Sequence, residues 1–397
     1  MLTKLFGPQN LQLAEDVVQD TLLKAFDTWK MNGLPQNPSA WLFTVARNKA
    51  IDVLRQQKRK DVFSKAITPL LQSEYTLVPV VQDTVNSNTI DDDQLRMMFV
   101  CCHPALSTEA QVSLILRTLC GFSVTEIAKA FVAAYDAIEK RLSRARQSFR
   151  DNNVQFELPP ADELEARLDN VLLAIYLLFN EGYNSTQHED LVRKDLIHEA
   201  MQLCELICRS PIVDHFKAHA LMALICFTAS RNEARQDEAG NILLLKQQDR
   251  NKWNRPLIEK AIYHLEASAE GESVSRYQLE AGIAYEHART ATYEQTNWQN
   301  ILRCYDLLCK FYPSPVVELN RAIVISELHG PAEGIKAIEA IGQIASLKNY
   351  YLLPATLGEL HLQLQHNAVA NRYFAEAMAL TQSAAEKKLL QQKMDQQ

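Results

Sequence analysis

Apolar residues recur through most of the chain at intervals of three and four, which is the spacing of an α-helix with one buried face. In the segment 135–150 the predicted buried stripe consists of Ile138, Leu142, Ala145 and Phe149. In the segment 39–60 it consists of Leu42, Ala46, Ala50 and Val53. Strand-like alternation is scarce, and Ala, Leu, Gln and Glu, which favour helices, dominate most segments. The pattern predicts an all-α protein.

Proline-containing and polar breaks divide the 397 residues into four blocks. Pro69 and Pro79, together with the polar stretch 82–88, indicate a linker, and Pro159-Pro160 marks a second break. A chain of this length can hold several domains with their own cores. We predict two small helical domains joined by a linker and followed by a larger helical domain, with the bounds 1–60, 61–90 (linker), 91–153 and 161–397.

The net charge of −7 is unevenly distributed. Residues 1–150 carry 18 Lys and Arg against 15 Asp and Glu, whereas the remaining residues carry 23 against 33. A mildly basic first part and an acidic second part indicate that only the first part meets a polyanion.

Features of secreted and membrane proteins are scarce in the sequence. Residues 1–13 lack the sustained apolar core of a secretion signal, and the longest apolar run, 171–179, is about half of what a membrane span needs. The 8 cysteines have neither the density nor the regular spacing of a disulfide framework. These features predict a cytoplasmic protein with free thiols and no contact with a membrane.

Residues 107–150 have the pattern of a helix-turn-helix. An apolar helical segment, 109–119, stops at Gly121, and Ser123 and Glu126 have the spacing of a capping box at the start of a short helix. The helix after the turn, 135–150, would be roughly 24 Å long and could lie in a DNA major groove about 12 Å wide. Its other faces carry the basic residues Lys140, Arg141, Arg144, Arg146 and Arg150. An ordinary surface helix with a solvated basic face is the alternative.

A second basic helix is predicted over 39–60, with Ser39 as its N-cap. One face carries Trp41, Thr44, Asn48 and Arg55, and the helix ends in a run of cations. An aromatic ring and an amide beside a cationic end suit contact with unstacked bases and phosphates. A core tryptophan beside a solvated charge run is the alternative.

The preceding helix, predicted over 13–31, has two different sides. One side carries Val18, Leu22, Ala25, Phe26 and Trp29. The opposite side carries Asp16, Asp20, Leu23 and Asp27. An acidic face with an exposed leucine suits a basic protein partner better than it suits DNA.

Together these segments resemble the extracytoplasmic-function, or group-four, sigma factors of bacterial RNA polymerase. The stretch 14–21, AEDVVQDT, is similar to the core-binding helix of that family, and the resemblance implies polymerase contacts for Asp16, Gln19, Asp20 and Leu23. The stretches 37–42 and 46–52 resemble the minus-ten reader, which implies promoter contacts for Trp41, Arg47, Asn48 and Arg55. The helices of 123–150 resemble the minus-thirty-five reader, which implies DNA contacts for Thr125, Tyr135, Lys140, Arg141 and Arg144.

Four further motifs resemble the subfamily of these sigma factors that carries a C-terminal tetratricopeptide-like domain. They are FVCCHPALS at 99–107, YLLFNEGY at 176–183, QDR at 248–250 and SPVVELNRA at 314–322. The resemblance implies a regulatory role for Gln248, Asp249 and Arg250, although Gln247 stands where the family usually has Asp. Related chains usually begin earlier, so the first sigma helix is expected to be truncated at Met1.

The spacing of small and apolar residues near the C-terminus is that of tetratricopeptide repeats. One set comprises Leu357, Gly358, Ala370, Phe374 and Ala377. A second set, 36 residues upstream, comprises Ala322, Gly334, Ile338 and Ile341. Stacked helical hairpins of this kind bury one continuous core, and their surfaces commonly bind a peptide or another domain.

No metal, cofactor or catalytic centre is expected. The adjacent Cys101 and Cys102 cannot easily share a tetrahedral zinc site with His103, and Cys204 and Cys208 fit the default of buried apolar thiols. Four histidines are close only in sequence, namely His188, His198, His215 and His219. Common catalytic signatures and phosphate-binding glycine loops are absent from the sequence.

The sequence therefore predicts a non-enzymatic sigma factor that binds core RNA polymerase and directs promoter-specific initiation. Its helical-repeat domain is expected to control activity through intramolecular contact with the sigma domains. Two alternatives remain at this point: a helical-repeat adaptor with a degenerate sigma half, and a polymerase-independent helix-turn-helix regulator.

Overall fold

The structure is a computed structural model that describes residues 2–58, 87–131, 133–183, 192–210, 215–271, 273–381 and 383–395. In these ranges the regular elements are helices, apart from one isolated β-bridge between Gln236 and Ile242. The predicted all-α class is confirmed. The predicted linker 61–90 lies almost entirely outside the described residues, as do Arg59, Lys60 and His188.

The chain forms two compact units, one of Met1–Leu178 with Ser210–Val213 and one of Phe179–Arg209 with Asp214–Gln397. The helices that begin in the first unit are α1 (Leu2–Phe6), α2 (Leu11–Asn32), α3 (Pro38–Lys58), α4 (Ser87–Cys101), α5 (Thr108–Thr118), α6 (Val124–Ala130), α7 (Tyr135–Asp151) and α8 (Ala161–Tyr183). The boundary between the units falls inside α8, later in the chain than the predicted start of the C-terminal domain at 161.

Helices α1, α2 and α3 share a small core. Its buried residues are Leu2, Phe6, Ala14, Val17, Ala46 and Ala50. The N-terminus of α3 differs from the prediction, because the Asn37 side chain, and not Ser39, accepts a hydrogen bond from the Ala40 backbone N–H at 3.0 Å. Pro38 is then the first helical residue, a position where its missing N–H costs nothing.

Helices α5, α6 and α7 follow one another as the sequence predicts. The turn after α5 contains Gly121, whose φ of +69° is one that residues with a side chain rarely adopt. At the start of α6 the Ser123 N–H donates to Glu126 Oε2 at 2.7 Å, and the Glu126 N–H donates to Ser123 Oγ at 3.2 Å. This reciprocal pair is the predicted capping box. The buried face of α7 is the predicted one: Ile138, Leu142, Ala145 and Phe149.

Helix α8 is attached to the first unit by buried polar contacts. Arg167 Nη1 donates to the Phe99 carbonyl at 3.0 Å, and Asn170 donates to Gln111 Oε1 at 2.7 Å. The amide of Gln111 in turn donates to the carbonyls of His103 and Leu106. The motif 99–107 is therefore a packing segment, held against α5 and α8.

The second unit is a succession of packed helices. They are α9 (Lys194–Cys208), α10 (Phe216–Ala229), α11 (Arg255–Ser268), α12 (Arg276–Ala288), α13 (Trp298–Phe311), α14 (Pro315–His329), α15 (Pro331–Glu339), α16 (Leu352–Gln363), α17 (Asn367–Leu380) and α18 (Ala384–Asp395). Helix α10 is buried on nearly all sides and packs against α9, α11 and α12. It forms the centre of the first half of this unit.

Two helical pairs near the C-terminus, α14 with α15 and α16 with α17, pack closely. A Cβ atom at Gly358 would lie 2.7 Å from the Phe374 ring, so this position requires glycine for the approach of α17 to α16. Gly334 has the same role, since a Cβ atom there would lie 2.5 Å from Ser326 Cβ. These contacts involve residues of both predicted repeat sets, while the tetratricopeptide assignment itself stays a prediction.

None of the described helices combines the length and the apolar content needed to cross a membrane.

Candidate functional site

The outer face of α7 carries a basic surface. Tyr135, Lys140 and Arg144 are exposed, and Thr125 is exposed on the preceding helix α6. Because the buried stripe fixes the rotation of α7, these side chains point away from the core of the first unit. Of the five residues that the sequence assigns to the minus-thirty-five element, Lys140, Arg141 and Arg144 line one groove beside α7, and Thr125 and Tyr135 lie outside that groove.

Arg141 and Arg146 are engaged within the protein. Arg141, the fifth residue of the predicted set, is half-buried with its guanidinium carbon 5.3 Å from the centre of the Phe131 ring. Arg146 Nη2 lies 2.8 Å from Glu15 Oε2 and 3.0 Å from Glu15 Oε1 on α2. Arg146 is therefore a contact between α7 and α2 and does not belong to the free basic surface.

Helix α2 exposes a large apolar face. Leu22, Leu23 and Phe26 are 53%, 64% and 68% exposed, and Val18 is exposed as well. The buried face consists of Leu11, Ala14, Val17, Thr21 and Ala25. Of the side that the sequence groups as apolar, Ala25 is buried and Trp29 is half-buried, whereas Val18, Leu22 and Phe26 face solvent.

The predicted polymerase-contacting residues border this face. Asp16, Gln19 and Asp20 are all exposed, and Asp20 forms an ion pair with Lys49 of α3. Apolar side chains flanked by carboxylates make a surface that suits a partner with both apolar and basic groups.

A cleft of about 660 Å³ lies beside α2 within the first unit. Its walls include Val18 and Leu22 of α2, Phe43 of α3, Met97 of α4 and Phe156. Part of the exposed face of α2 is therefore the rim of a concave, mainly apolar surface.

The residues expected at the minus-ten element lie along α3. Trp41 is half-buried, and its ring centre is 5.5 Å from that of Trp29 on α2. Arg47 is half-buried and Asn48 is exposed, on the part of α3 that follows. Arg55 lies in α3, but its side chain is outside the described residues.

The three residues with a predicted regulatory role occupy the segment between α10 and α11. Gln248 is buried and donates to the Leu243 carbonyl at 3.1 Å, while Asp249 caps a short 3-10 turn by accepting from the Asn251 N–H at 2.9 Å. Arg250 is only 7% exposed. Its Nη1 donates to the carbonyl of His287 in the last turn of α12 and to that of Thr290 just after this helix, the latter at 3.0 Å. These residues fasten the segment to α12.

The cysteine motif in the first unit has no ligand geometry. Cys101 and Cys102 are fully buried, and burial raises the pKa of the Cys101 thiol to about 12. Within the described residues, the potential metal ligands that come together are Cys208, His219 and His264 in the second unit. Sequence reasoning missed this group, because His264 lies 45 residues after His219 and no spacing motif joins them.

Comparisons with known proteins agree with the geometry of the first unit. The family model of sigma-70 region 2 matches residues 4–60, and that of a family of unknown function (DUF6596) matches residues 167–269. The chain is 31% identical over 138 residues to the ECF RNA polymerase sigma factor SigL of Mycobacterium tuberculosis, covering 34% of this chain and 72% of SigL. The chain belongs to the extracytoplasmic-function sigma factors.

Two other relatives extend the comparison beyond the sigma segments. An uncharacterized protein of Rhizobium meliloti (strain 1021) is 35% identical over 389 residues, covering 98% of this chain and 90% of that protein. The ECF RNA polymerase sigma factor SigG of Mycobacterium tuberculosis is 26% identical over 207 residues, covering 48% of this chain and 55% of SigG. No solved structure matches this sigma factor. The segment after the sigma regions is therefore an additional C-terminal part.

Replacing Arg250 by Ala would leave the carbonyls of His287 and Thr290 without their charged donor. We expect the sigma factor to lose about 1–3 kcal/mol of stability, because hydrogen bonds from a charged group are among the stronger ones and the Thr290 carbonyl and hydroxyl lose this donor. Urea unfolding followed by circular dichroism measures the change. Arg255→Ala, at an exposed arginine of α11, is the matched control and should stay within about 0.5 kcal/mol of the unsubstituted chain. Equal stabilities of the two variants would contradict an anchoring role.

Proposed function

We propose that this sigma factor binds core RNA polymerase through α2 and directs transcription from specific promoters through α3 and α7. The observation that carries the proposal is the exposed apolar face of α2, formed by Val18, Leu22, Leu23 and Phe26 within the sigma-70 region 2 match. A contiguous apolar surface of this kind is typical of a protein-binding site. The chain acts by binding, without catalysis or a cofactor in initiation.

The chemistry of the α2 face fits a large protein partner. Desolvated Leu and Phe side chains supply affinity at the centre of an interface, and charged groups at the rim set orientation. Asp16, Gln19 and Asp20 are placed at such a rim. We infer that they, with Leu23, contact a basic surface of the polymerase.

The chemistry of the α7 surface fits duplex DNA. Lys140 and Arg144 are exposed cations on a helix that follows a short, capped helix, the arrangement in which the second helix enters a major groove. Thr125 and Tyr135 have polar groups that can bind phosphates or base edges. We infer that Arg141 stiffens this surface through Phe131 and reaches DNA only with its guanidinium edge.

For the opened strand we propose Arg47 and Asn48 of α3, together with Arg55. Trp41 offers a base only the part of its ring that Trp29 leaves uncovered. Cation and amide contacts to a single strand are strongly salt-dependent and tolerate sequence variation, so α3 would hold the strand more than read it.

We further propose that the C-terminal part controls activity in place of a separate inhibitor. Helix α8 supports this, because its first part belongs to the sigma unit and its last residues belong to the second unit. In this proposal Gln248, Asp249 and Arg250 act by holding the α10–α11 segment in place. The tetratricopeptide-like hairpins α14–α17 are the proposed surface for partner contact.

The double substitution Leu22→Ser and Phe26→Ser should reduce run-off transcription with purified core polymerase at least about tenfold, because loss of two interface side chains costs more than about 1.4 kcal/mol of binding. Phe311→Ser, at an equally exposed phenylalanine of α13, is the matched control and should leave transcription unchanged. A pull-down of core polymerase gives the binding directly. Undiminished capture by the double variant would contradict the α2 assignment, and no capture by the unsubstituted chain would favour an adaptor.

The double substitution Lys140→Ala and Arg144→Ala should weaken promoter binding by the holoenzyme and reduce the salt dependence of binding. The slope of log K against log salt should fall by about 2, one for each lost phosphate contact. Filter binding at several salt concentrations measures it, with Lys388→Ala on α18 as the exposed-lysine control. An unchanged slope would remove α7 from the DNA interface. Tight binding by the chain without polymerase would instead favour an independent helix-turn-helix regulator.

A chain that ends after Tyr183 should give more transcript than the full chain, since the proposed inhibitory part is gone. The cut retains α8, because ending at residue 160 would remove Arg167 and Asn170 from the core of the sigma unit. Circular dichroism and polymerase capture establish that the shortened chain is folded and competent. Equal transcript from both chains, at equal polymerase occupancy, would show that the C-terminal part is not a regulator.

A further inference from the structure

Three potential metal ligands come together in the second unit, and the proposed function uses none of them. Cys208 is the last residue of α9, His219 lies in the first turn of α10 and His264 lies in α11. The ligand atoms of these side chains all lie within 4.8 Å of one another. Each of three successive helices thus contributes one potential ligand to the same cluster.

The separations are close to those of a metal centre. Zinc binds imidazole nitrogen at about 2.0–2.1 Å and thiolate sulfur at about 2.3 Å, so two ligand atoms of a tetrahedral site are about 3.3–3.7 Å apart. Nδ1 of His264 is 2.8 Å from Nδ1 of His219. A bound ion would require the nitrogens to separate by about half an ångström and the sulfur to approach.

Burial and second contacts favour coordination at this point. His219 is 8% exposed and His264 is 3% exposed, whereas Cys208 is half-buried and gives access from solvent. The His219 ring also hydrogen-bonds the Cys208 backbone, and such a second contact commonly orients a ligating histidine.

Three charged side chains lie near the cluster. Lys260 donates to Glu205 at 2.9 Å, and Arg209 donates to the other oxygen of the same carboxylate at 2.9 Å. The two cations thus share one carboxylate, which leaves a net charge of +1 on this group. One thiolate and two neutral imidazoles then give a bound divalent ion a net charge of +1.

We propose that Cys208, His219 and His264 form a zinc site with three protein ligands and a fourth position for water or an incoming ligand. Sulfur and imidazole nitrogen suit a borderline-soft divalent ion, whereas magnesium and calcium need oxygen ligands. Binding converts the Cys208 thiol to a thiolate and releases its proton to solvent. Because the ligands come from three helices, the ion links α9, α10 and α11 and makes the stability of this unit depend on zinc.

The first test uses the unsubstituted full chain and zinc alone. Equilibrium dialysis should give one tightly bound zinc per chain. Site-resolved alkylation, read by mass spectrometry, should show that zinc protects Cys208 while Cys120, Cys304 and Cys309, which are also half-buried, react as before. Cobalt in place of zinc should give a sulfur-to-metal charge-transfer band. Absence of stoichiometric binding, or binding that leaves Cys208 as reactive as before, would overturn the proposal.

The second test uses variants of the ligands. Cys208→Ser and His264→Gln should each raise the Kd for zinc at least about 100-fold, because each removes one of only three protein ligands. Cys309→Ser and His361→Gln are matched controls, the latter taken from a second close histidine pair in which His361 lies beside His366. Unchanged Kd values in both ligand variants would refute the site. The alkylation result decides the question for any variant that fails to fold.

Discussion

The hydrogen bond from Arg167 to the Phe99 carbonyl ties α8 to the end of α4 in the interior of the sigma unit. The same carbonyl accepts from the Cys102 backbone N–H, and the bond to the charged Arg167 is buried. With Asn170 and Gln111 it holds α8 against the segment between α4 and α5. Helix α5 in turn packs against α6 and α7.

The sequence prediction was correct for elements that are set by a single interaction between nearby residues. The capping box of Ser123 and Glu126 and the buried stripe of α7 were predictable, because backbone capping and helical period act within a few residues. The predicted N-cap residue of α3 was wrong by two positions. Both Asn37 and Ser39 have side chains that can accept a hydrogen bond at a helix N-terminus, but only Asn37 is placed to do so. Which of the two residues caps the helix depends on the backbone geometry, and that geometry cannot be read from the sequence.

The orientation of α2 shows why periodicity alone could not find the interaction surface. Apolar residues occur on more than one side of this helix, and the larger ones, Leu22 and Phe26, are exposed. The smaller residues Ala14 and Ala25 are buried, because α2 approaches its neighbours closely. A hydrophobic pattern gives the most weight to the large side chains and therefore cannot by itself distinguish the face of α2 that packs from the face that stays exposed. Structural context was needed to make the exposed face evident.

In the second unit, by contrast, the residues of the most recognisable motif are mostly buried. Its most recognisable sequence, Gln248-Asp249-Arg250, is largely turned inward, and Arg250 joins the α10–α11 segment to the end of α12. In the proposed function these residues therefore act through how firmly the segment is held. The cluster of Cys208, His219 and His264 lies where α9, α10 and α11 meet, with Nδ1 of His219 2.8 Å from Nδ1 of His264. A zinc ion at the proposed site would therefore act on the same two helices, α10 and α11, that the segment with Arg250 connects.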